Sequence, residues 1–263
     1  MRRRELLGTT CLAGAGALAA VTEATQAAEA GGAARDILEL RLYKADAGEM
    51  RGRLDKFLGE VAIPAWNRLG MNPVGVFEAA DGASPDLYVL IAHKNCECFV
   101  TAPARLWADA EYQKAGAAYL ETPKTAPTYA RIETNLMLAF EQAPKLRAPV
   151  EKKPGRLFQL RIYESFCDER ARLKLEMFNA GGELAIFRRC EMGWVFFGQT
   201  LAGTKMPNLT YMLGFADEAA QKAAWARFLK DPEWEKLKGD PKYKDTVSTS
   251  TNLILKPTAY SQI

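Results

Sequence analysis

An internal duplication in the sequence restricts the fold to one that is built from two similar halves. Five segments of the first half recur in the same order in the second half, at offsets between 117 and 122 residues. The matched pairs are LELRLY (38–43) with FQLRIY (158–163), VF (76–77) with FF (196–197), PDLYVLIAH (85–93) with PNLTYMLGF (207–215), DAEYQK (109–114) with DPEWEK (231–236), and TNLML (134–138) with TNLIL (251–255). Collinear matches with small changes of offset indicate a duplication with short insertions.

Each half also shows the same order of hydrophobic periodicities. Leu38, Leu40 and Leu42 alternate with polar residues, which predicts a strand with two chemically different faces. Apolar residues at helical spacing follow in both halves, over 50–69 and 173–187. The other predicted elements are strands near 74–78, 87–93 and 131–140, a helix over 98–120, and their counterparts near 194–199, 209–215, 251–256 and 217–229. The order is β-α-β-β-α-β, the ferredoxin-like arrangement.

We therefore predict an α+β fold of two ferredoxin-like repeats packed sheet to sheet, in the manner of a dimeric α+β barrel with the helices outside. One such sheet hides one face under its helices and leaves the other bare, so two repeats can press their bare faces together. The repeats are assigned to residues 35–140 and 156–260. Residues 141–155 contain three prolines among lysines and arginines, which predicts an extended linker.

Two arginine-tyrosine pairs occupy matching positions in the opening strands of the repeats, Arg41 with Tyr43 and Arg161 with Tyr163. If the leucines of these strands pack under the helices, the arginines and tyrosines point between the two sheets. Buried arginine requires a partner. One interpretation is an ion pair with Glu39 or another acid that helps to close the barrel, and we favour it. The other is a site that holds a carboxylate, another anion or bound water.

His93 is the one histidine of the sequence, and it ends a predicted strand. A single histidine excludes an HExxH zinc site and every mechanism that needs two imidazoles. Together with Arg41, Tyr43, Arg161 and Tyr163, His93 is a candidate for lining a ligand cavity between the sheets. A ligand site there requires a continuous cavity of about 300 Å³ or more.

His93, Cys96 and Cys98 form an H-x-x-C-x-C motif, which is a weak candidate for binding a soft metal ion. The sequence predicts no specific metal or cofactor beyond it. If the protein is exported to an oxidising compartment, Cys96, Cys98, Cys167 and Cys190 can form disulfides. Four cysteines allow three pairings, and the sequence does not choose among them.

The first thirty residues have the features of an export signal. Arg3-Arg4-Glu5-Leu6-Leu7 resembles the twin-arginine motif, and Ala28-Glu29-Ala30 matches the small-x-small pattern that signal peptidase recognises. We predict a twin-arginine-type signal peptide over 1–30 and a periplasmic or secreted mature protein. No other stretch has the roughly 18 consecutive apolar residues of a transmembrane helix, so the mature chain is predicted to have no transmembrane segment.

The charge of the chain argues against nucleic acid as its main partner. The 35 basic and 32 acidic side chains leave a formal net charge of +3, spread evenly along the sequence. We expect instead a small-molecule ligand or a protein partner, and the sequence allows a homo-oligomer.

Both opening strands, LELRLY and FQLRIY, resemble the opening strand of the NIPSNAP family. Further segments that resemble this family are IPA (63–65), PVGVF (73–77), PNLTYM (207–212) and DPEW (231–234). The resemblance covers essentially the whole chain after the signal peptide and implies the duplicated dimeric α+β barrel fold. It implies no reaction, because the family has no agreed catalytic motif and its members are mostly uncharacterised or described as binding and scaffold proteins.

Two functional hypotheses follow from these observations. The favoured one is an exported NIPSNAP-domain protein that acts as a non-catalytic small-molecule-binding or protein-interaction module. The alternative is an α+β-barrel enzyme, either oxygenase-like without a cofactor or associated with haem, that uses the cavity between the sheets. In that enzyme an arginine-tyrosine pair would orient a substrate oxygen, and His93 would act as a base or an axial ligand.

Overall fold

The computed structural model describes residues 34–263, and the predicted signal peptide over 1–30 lies outside the described residues. The first repeat comprises β1 (Ile37–Lys44), α1 (Glu49–Phe57), a π-helical turn (Leu58–Ala62), α2 (Ile63–Arg68), β2 (Gly75–Ala79), β3 (Leu87–His93), α3 (Cys96–Trp107), α4 (Ala110–Leu120) and β4 (Arg131–Ala139). The second comprises β5 (Leu157–Glu164), α5 (Asp168–Phe178), α6 (Glu183–Arg189), β6 (Trp194–Ala202), β7 (Asn208–Phe215), α7 (Glu218–Leu229), α8 (Pro232–Lys238), a 3-10 turn (Pro241–Tyr243) and β8 (Thr249–Pro257).

All eight strands belong to one closed antiparallel barrel with the order β1-β3-β2-β8-β5-β7-β6-β4. Each repeat supplies four adjacent strands in the ferredoxin-like order, with its opening strand between its third and fourth strands. The two half-barrels join where β2 pairs with β8 and β4 pairs with β6. The predicted α+β fold of two ferredoxin-like repeats, sheet to sheet with the helices outside, is therefore confirmed.

The interior of the barrel is filled by apolar side chains from both repeats. Leu38 and Leu40 of β1 lie in this cluster, as do their counterparts Phe158 and Leu160 of β5. The other buried members are Phe77, Leu90, Met137, Ala139, Val195, Phe196, Met212, Leu255 and Ile263. This is close-packed core, and side chains occupy the space in which a ligand cavity between the sheets was predicted.

The predicted orientation of the opening strands is therefore wrong. The leucines face the barrel interior, whereas Tyr43 packs with the helices of the first repeat and Tyr163 with those of the second. Alternation separates the two faces of a strand but does not say which face points inward. The enclosed interior takes the fully apolar face, because long amphipathic side chains can bury their stems under the helices and bring their polar ends toward the rim.

The helices are interrupted where the sequence carries a proline or a capping residue. The π-helical turn ends just before Ile63-Pro64, because Pro64 has no N–H with which to continue the regular ladder. The predicted continuous helix over 98–120 is instead two helices. The carboxylate of Asp109 accepts hydrogen bonds from the backbone N–H groups of Glu111 and Tyr112, which starts α4 as a separate helix.

Asp231 starts α8 in the same way, and a duplicated arginine binds each of these caps. Arg68 Nη2 lies 2.7 Å from Asp109 Oδ2, and Arg189 Nη2 lies 2.8 Å from Asp231 Oδ1. Each arginine also binds the glutamate two residues after the aspartate, Glu111 or Glu233. The DPEW segment thus has a structural role, because it caps one helix and ties that helix to another.

The last residues of the sequence cover one part of the barrel. Gln262 pairs with Val74 through two hydrogen bonds of 2.9 Å, and Ser261 Oγ accepts a 3.0 Å hydrogen bond from the N–H of Val76. These contacts hold Ile263 in the barrel interior, where it is 2% exposed. The tail is therefore part of the hydrophobic core. No helix within residues 34–263 has both the length and the apolar character needed to cross a bilayer.

We expect Ile263→Ala to lower the free energy of unfolding by roughly 2–5 kcal/mol, because it removes a buried side chain from the barrel core. Leu229→Ala is the control, since Leu229 is 55% exposed, and it should change the unfolding free energy by no more than about 0.5 kcal/mol. Urea unfolding followed by circular dichroism measures both. Equal effects of the two substitutions would show that the tail does not contribute to the core.

Candidate functional site

The polar face of β1 forms a compact charged cluster under the helices of the first repeat. Both carboxylate oxygens of Glu39 accept from Arg41: one from Nε, the other from Nη2 at 3.1 Å. His93 Nε2 lies 2.9 Å from Glu39 Oε2, and Arg41 Nη1 lies 3.4 Å from the hydroxyl of Tyr43. Glu39, His93 and Tyr43 are buried. The ion pair with Glu39 that the sequence suggested is therefore present for Arg41, on the helix side of the sheet.

The charges of this first-repeat cluster compensate each other. Burial by itself raises the pKa of Glu39, but the hydrogen bond with His93 and the nearby Arg41 guanidinium outweigh it and hold that pKa below its ordinary value. Glu39 is therefore ionised at neutral pH, and Arg41 has its counter-ion within the chain. The face of Trp66 covers the guanidinium at 5.4 Å and further excludes water.

The second repeat keeps the arginine and the tyrosine but replaces both Glu39 and His93. Gln159 stands where the first repeat has Glu39, and Phe215 stands where it has His93. Gln159 is engaged elsewhere: its Oε1 accepts from Trp225 Nε1 at 2.7 Å, and its Nε2 donates to Asn252 Oδ1 at 2.8 Å. The substitution thus removes the carboxylate that neutralises the first arginine.

Arg161 consequently has no ion-pair partner anywhere in residues 34–263. Its Nε is buried without a hydrogen-bond acceptor. The guanidinium lies between two aromatic rings, 4.8 Å from the Trp225 centroid and 5.2 Å from the Tyr163 centroid. These rings orient the cation but leave its hydrogen-bonding capacity largely unused.

A second cation lies close to Arg161 and is paired. Lys174 Nζ donates to Glu183 Oε2 at 3.0 Å, and both side chains are buried. Burial raises the pKa of Glu183, while Lys174 and Arg161 act in the opposite direction. Two cations therefore face at most one negative charge, and the group has a net positive charge whichever state Glu183 adopts.

These side chains line a cavity of about 380 Å³ between the sheet of the second repeat and its helices. The lining residues are Gln159, Arg161, Tyr163, Lys174, Glu183, Phe187, Tyr211, Trp225, Phe228, Leu229 and Trp234. The hydroxyls of Tyr163 and Tyr211 are 2.9 Å apart, and Trp234 Nε1 is buried without a partner. The walls are mainly aromatic and carry a few polar groups from both the sheet and the helices, as in small-molecule sites.

A larger groove of about 860 Å³ runs beside the linker, from Lys152 to Arg156 and along the end of β8. Several of its charges already have partners: Lys153 pairs with Glu151, and Lys256 pairs with Glu78. One side of the groove is formed by exposed linker residues, Lys152 to Gly155. Arg156 in this groove also forms no ion pair within residues 34–263, but its Nη2 donates to the oxygen of Ile263 at 3.2 Å. The cavity around Arg161 combines an aromatic wall with a guanidinium that forms neither an ion pair nor such a hydrogen bond in the described residues, so it is the candidate site.

The five site residues predicted from the sequence fall into two separate groups. Arg41, Tyr43 and His93 belong to the compensated cluster of the first repeat, and Arg161 and Tyr163 belong to the open cavity of the second. None of them lines a cavity between the sheets. Sequence reasoning missed the contributions of Lys174, Glu183, Tyr211, Trp225 and Trp234 to the cavity. In the sequence, the change from Glu39 to Gln159 was the signal that could have identified the second repeat as the one with an unpaired arginine.

The weak metal candidate is not supported by the geometry. Within residues 34–263, no three histidine, cysteine, aspartate or glutamate side chains are grouped so that they could hold a metal ion, and His93 binds Glu39 instead. Over the same residues Cys96, Cys98, Cys167 and Cys190 are all free thiols. Cys96 and Cys167 are exposed, whereas Cys190 is buried.

Comparisons with known proteins agree with the duplicated fold. A model of the NIPSNAP family matches residues 38–142 and again residues 158–262. No curated protein matches the sequence significantly.

Several solved structures resemble the chain. One is a protein of Lactobacillus acidophilus NCFM with a provisional assignment as a monooxygenase, 12% identical over 85% of this chain and 94% of that chain, with a TM-score of 0.55. Another, of the same provisional assignment, comes from Fusobacterium nucleatum and is 8% identical over 85% and 93%, with a TM-score of 0.56. An uncharacterised NIPSNAP-like domain protein of Burkholderia xenovorans is 22% identical over 41% of this chain and 90% of that chain, with a TM-score of 0.37. At these identities the first two show the shared fold alone.

We expect Glu39→Gln to destabilise the protein by roughly 3–5 kcal/mol at pH 7, because it leaves Arg41 buried without its counter-ion. The pKa of Glu39 is lowered by folding, so its contribution is present above the ordinary glutamate pKa and is lost as the pH falls through the lower folded value. The difference between the wild type and the variant should therefore shrink below roughly pH 4.

Urea unfolding at a series of pH values measures this difference. The control is Glu60→Gln, which changes an exposed glutamate that forms no ion pair in the described residues. It should alter the unfolding free energy by no more than about 0.5 kcal/mol at every pH. A Glu39→Gln effect that stays constant down to pH 3 would contradict the assigned ion pair.

Proposed function

The chain belongs to the NIPSNAP family, and we propose that it is a binding module whose second repeat holds a small molecule between sheet and helices. The observation that carries this proposal is the unpaired guanidinium of Arg161 in an aromatic cavity of about 380 Å³. The proposal does not include catalysis.

The electrostatics of the cavity support a ligand. Arg161 is half-buried, has no counter-ion in the described residues and has an Nε that is buried without an acceptor. Native proteins satisfy such buried groups with protein atoms, water or a bound molecule. In the first repeat the protein itself satisfies Arg41, through Glu39. In the second repeat no side chain takes that place, so a bound molecule that accepts hydrogen bonds would complete the coordination of Arg161.

The walls of the cavity support a ligand with an apolar body. Phe187, Phe228, Trp225 and Trp234 present aromatic surface, and Leu229 lies at the exposed rim. Cavities of about 300–1,000 Å³ with mainly apolar walls and a few convergent polar groups are typical of small-molecule sites. The cavity volume lies within that range, near its lower end.

No contact among the described residues specifically supports the enzyme hypothesis. The resemblance to the two provisional monooxygenases shows the fold alone. His93, which was to act as a base or an axial haem ligand, is buried in the first repeat and is bound to Glu39. It is not among the residues that line the cavity of the second repeat.

The binding module is also proposed to act outside the cytoplasm. This part rests on the sequence of residues 1–30, with Arg3-Arg4 and the Ala28-Glu29-Ala30 cleavage pattern. Twin-arginine export carries folded proteins, so a module of this kind could leave the cytoplasm with its fold complete.

Native mass spectrometry of the full-length gene product, recovered from the periplasmic fraction of its own organism, tests the proposal. We expect the mature protein to carry a non-covalent adduct of a single small mass. Leu229→Trp should abolish the adduct, because the larger side chain fills the rim of the cavity. Leu201→Trp is the matched control, since Leu201 is 43% exposed on β6 and does not line the cavity, and it should retain the adduct.

Two results would contradict the proposal. An adduct that persists in Leu229→Trp at the same occupancy would place the ligand elsewhere on the protein. A wild-type protein without any adduct, whose melting temperature also does not respond to an extract of periplasmic small molecules, would argue that the cavity is unused.

A further inference from the structure

Resting on the proposed function, we infer that the ligand of the second repeat is an aromatic carboxylic acid that binds Arg161 through its carboxylate. The first repeat contains the equivalent arginine, Arg41, with a carboxylate already bound to it.

The two arginines occupy equivalent positions in the barrel. Arg41 lies opposite Val89 of β3 and Thr134 of β4, and Arg161 lies opposite Tyr211 of β7 and Asn252 of β8. Each arginine is the fifth residue of the opening strand of its repeat and lies on the face toward the helices. Their guanidinium groups have equivalent access to the layer between sheet and helices, so their partners can be compared directly.

The partner that satisfies the first arginine is a carboxylate bound by two of its nitrogens. Glu39 receives hydrogen bonds from Nε and Nη2 of Arg41, the side-on geometry in which a planar guanidinium matches a planar carboxylate. The same edge of Arg161 includes the Nε that is buried without an acceptor. A ligand carboxylate on this edge would reproduce the contact that Glu39 makes.

No carboxylate among the residues that line the second cavity is free to do this. Glu183 is the one acidic residue of the lining, and Lys174 holds it at 3.0 Å. Gln159 is neutral and is held by Trp225 and Asn252. The net positive charge of Arg161, Lys174 and Glu183 therefore favours an anion, and one unpaired guanidinium suits a monoanion.

The residues that line the cavity indicate that the part of the ligand beyond its carboxylate is aromatic. The Trp225 ring covers one part of the guanidinium and also faces the cavity, and Phe187, Phe228 and Trp234 complete an aromatic lining. Flat aromatic molecules make offset or edge-to-face contacts with such walls. A one- or two-ring aromatic acid fits about 380 Å³, with its carboxylate toward the sheet and its rings toward the helices.

Titration calorimetry with 2-naphthoate and 2-naphthamide tests the inference. The two probes share their rings and differ in charge at one group. The wild type should bind naphthoate at least about tenfold more tightly than naphthamide, because a charge-assisted bidentate contact replaces a neutral one. Arg161→Gln should reduce naphthoate affinity to about the naphthamide level.

Gln159→Glu is the second and sharper variant, because it installs in the second repeat the carboxylate that the first repeat has at Glu39. The new carboxylate can still accept from Trp225 Nε1 and should pair with Arg161. We expect naphthoate affinity to fall at least about tenfold while naphthamide affinity changes less than about threefold. Melting temperatures of both variants, measured alongside, show that they are folded.

The outcomes distinguish failure of the carboxylate assignment from failure of the proposal that the cavity binds a small molecule. Equal affinities for the two probes in the wild type, with both lost in Leu229→Trp, would overturn the carboxylate assignment and leave the binding module standing. Naphthoate binding that Gln159→Glu and Arg161→Gln leave unchanged would also overturn it. Binding of neither probe, or binding that Leu229→Trp does not affect, would count against the cavity itself.

Discussion

Pairing of strands across the two repeats is the constraint on which the rest of the structure depends. Where β2 meets β8 and β4 meets β6, two four-stranded sheets become one closed barrel, and no strand edge is left open. The interior of such a barrel is wide enough for side chains and is filled by them. On the opening strands β1 and β5, the interior takes the apolar face with Leu38, Leu40, Phe158 and Leu160. The polar face of these two strands then points into the layer under the helices, and both arginine sites lie there.

Within this shared geometry, one difference between the repeats, Glu39 against Gln159, decides how each repeat uses its arginine. Side chains two residues apart on a strand point to the same face, so Glu39 lies beside Arg41 and neutralises it. Gln159 has the same position relative to Arg161 but carries no charge, and the indole of Trp225 binds its oxygen. The first repeat is thus electrostatically complete without a ligand. The second repeat has an aromatic cavity and an uncompensated cation, although its backbone follows the same plan.

Much of this architecture could be predicted from the sequence, because local periodicity reports secondary structure directly. The repeat, the order of elements and the sheet-to-sheet assembly followed from matched segments and alternation. Other features could not be predicted in this way. The alternation around Leu38 and Arg41 shows that the strand has an apolar and a polar face, but it does not show which of the two points inward. That depends on which side the barrel encloses. The helical periodicity across 98–120 also hid the break at Asp109, whose side chain caps α4 in competition with a continuous helix.

By itself, the sequence determined that the chain is a duplicated β-α-β-β-α-β unit and that each copy carries an arginine and a tyrosine on the opening strand. These are properties of neighbours along the chain, and hydrophobic spacing is sufficient to show them. Only the tertiary structure decided that the arginines face the helices, that Glu39 and His93 meet, and that Lys174, Trp225 and Trp234 converge on Arg161. Those contacts join residues from different elements, so they exist only once the barrel has closed and brought its covering helices against the sheet.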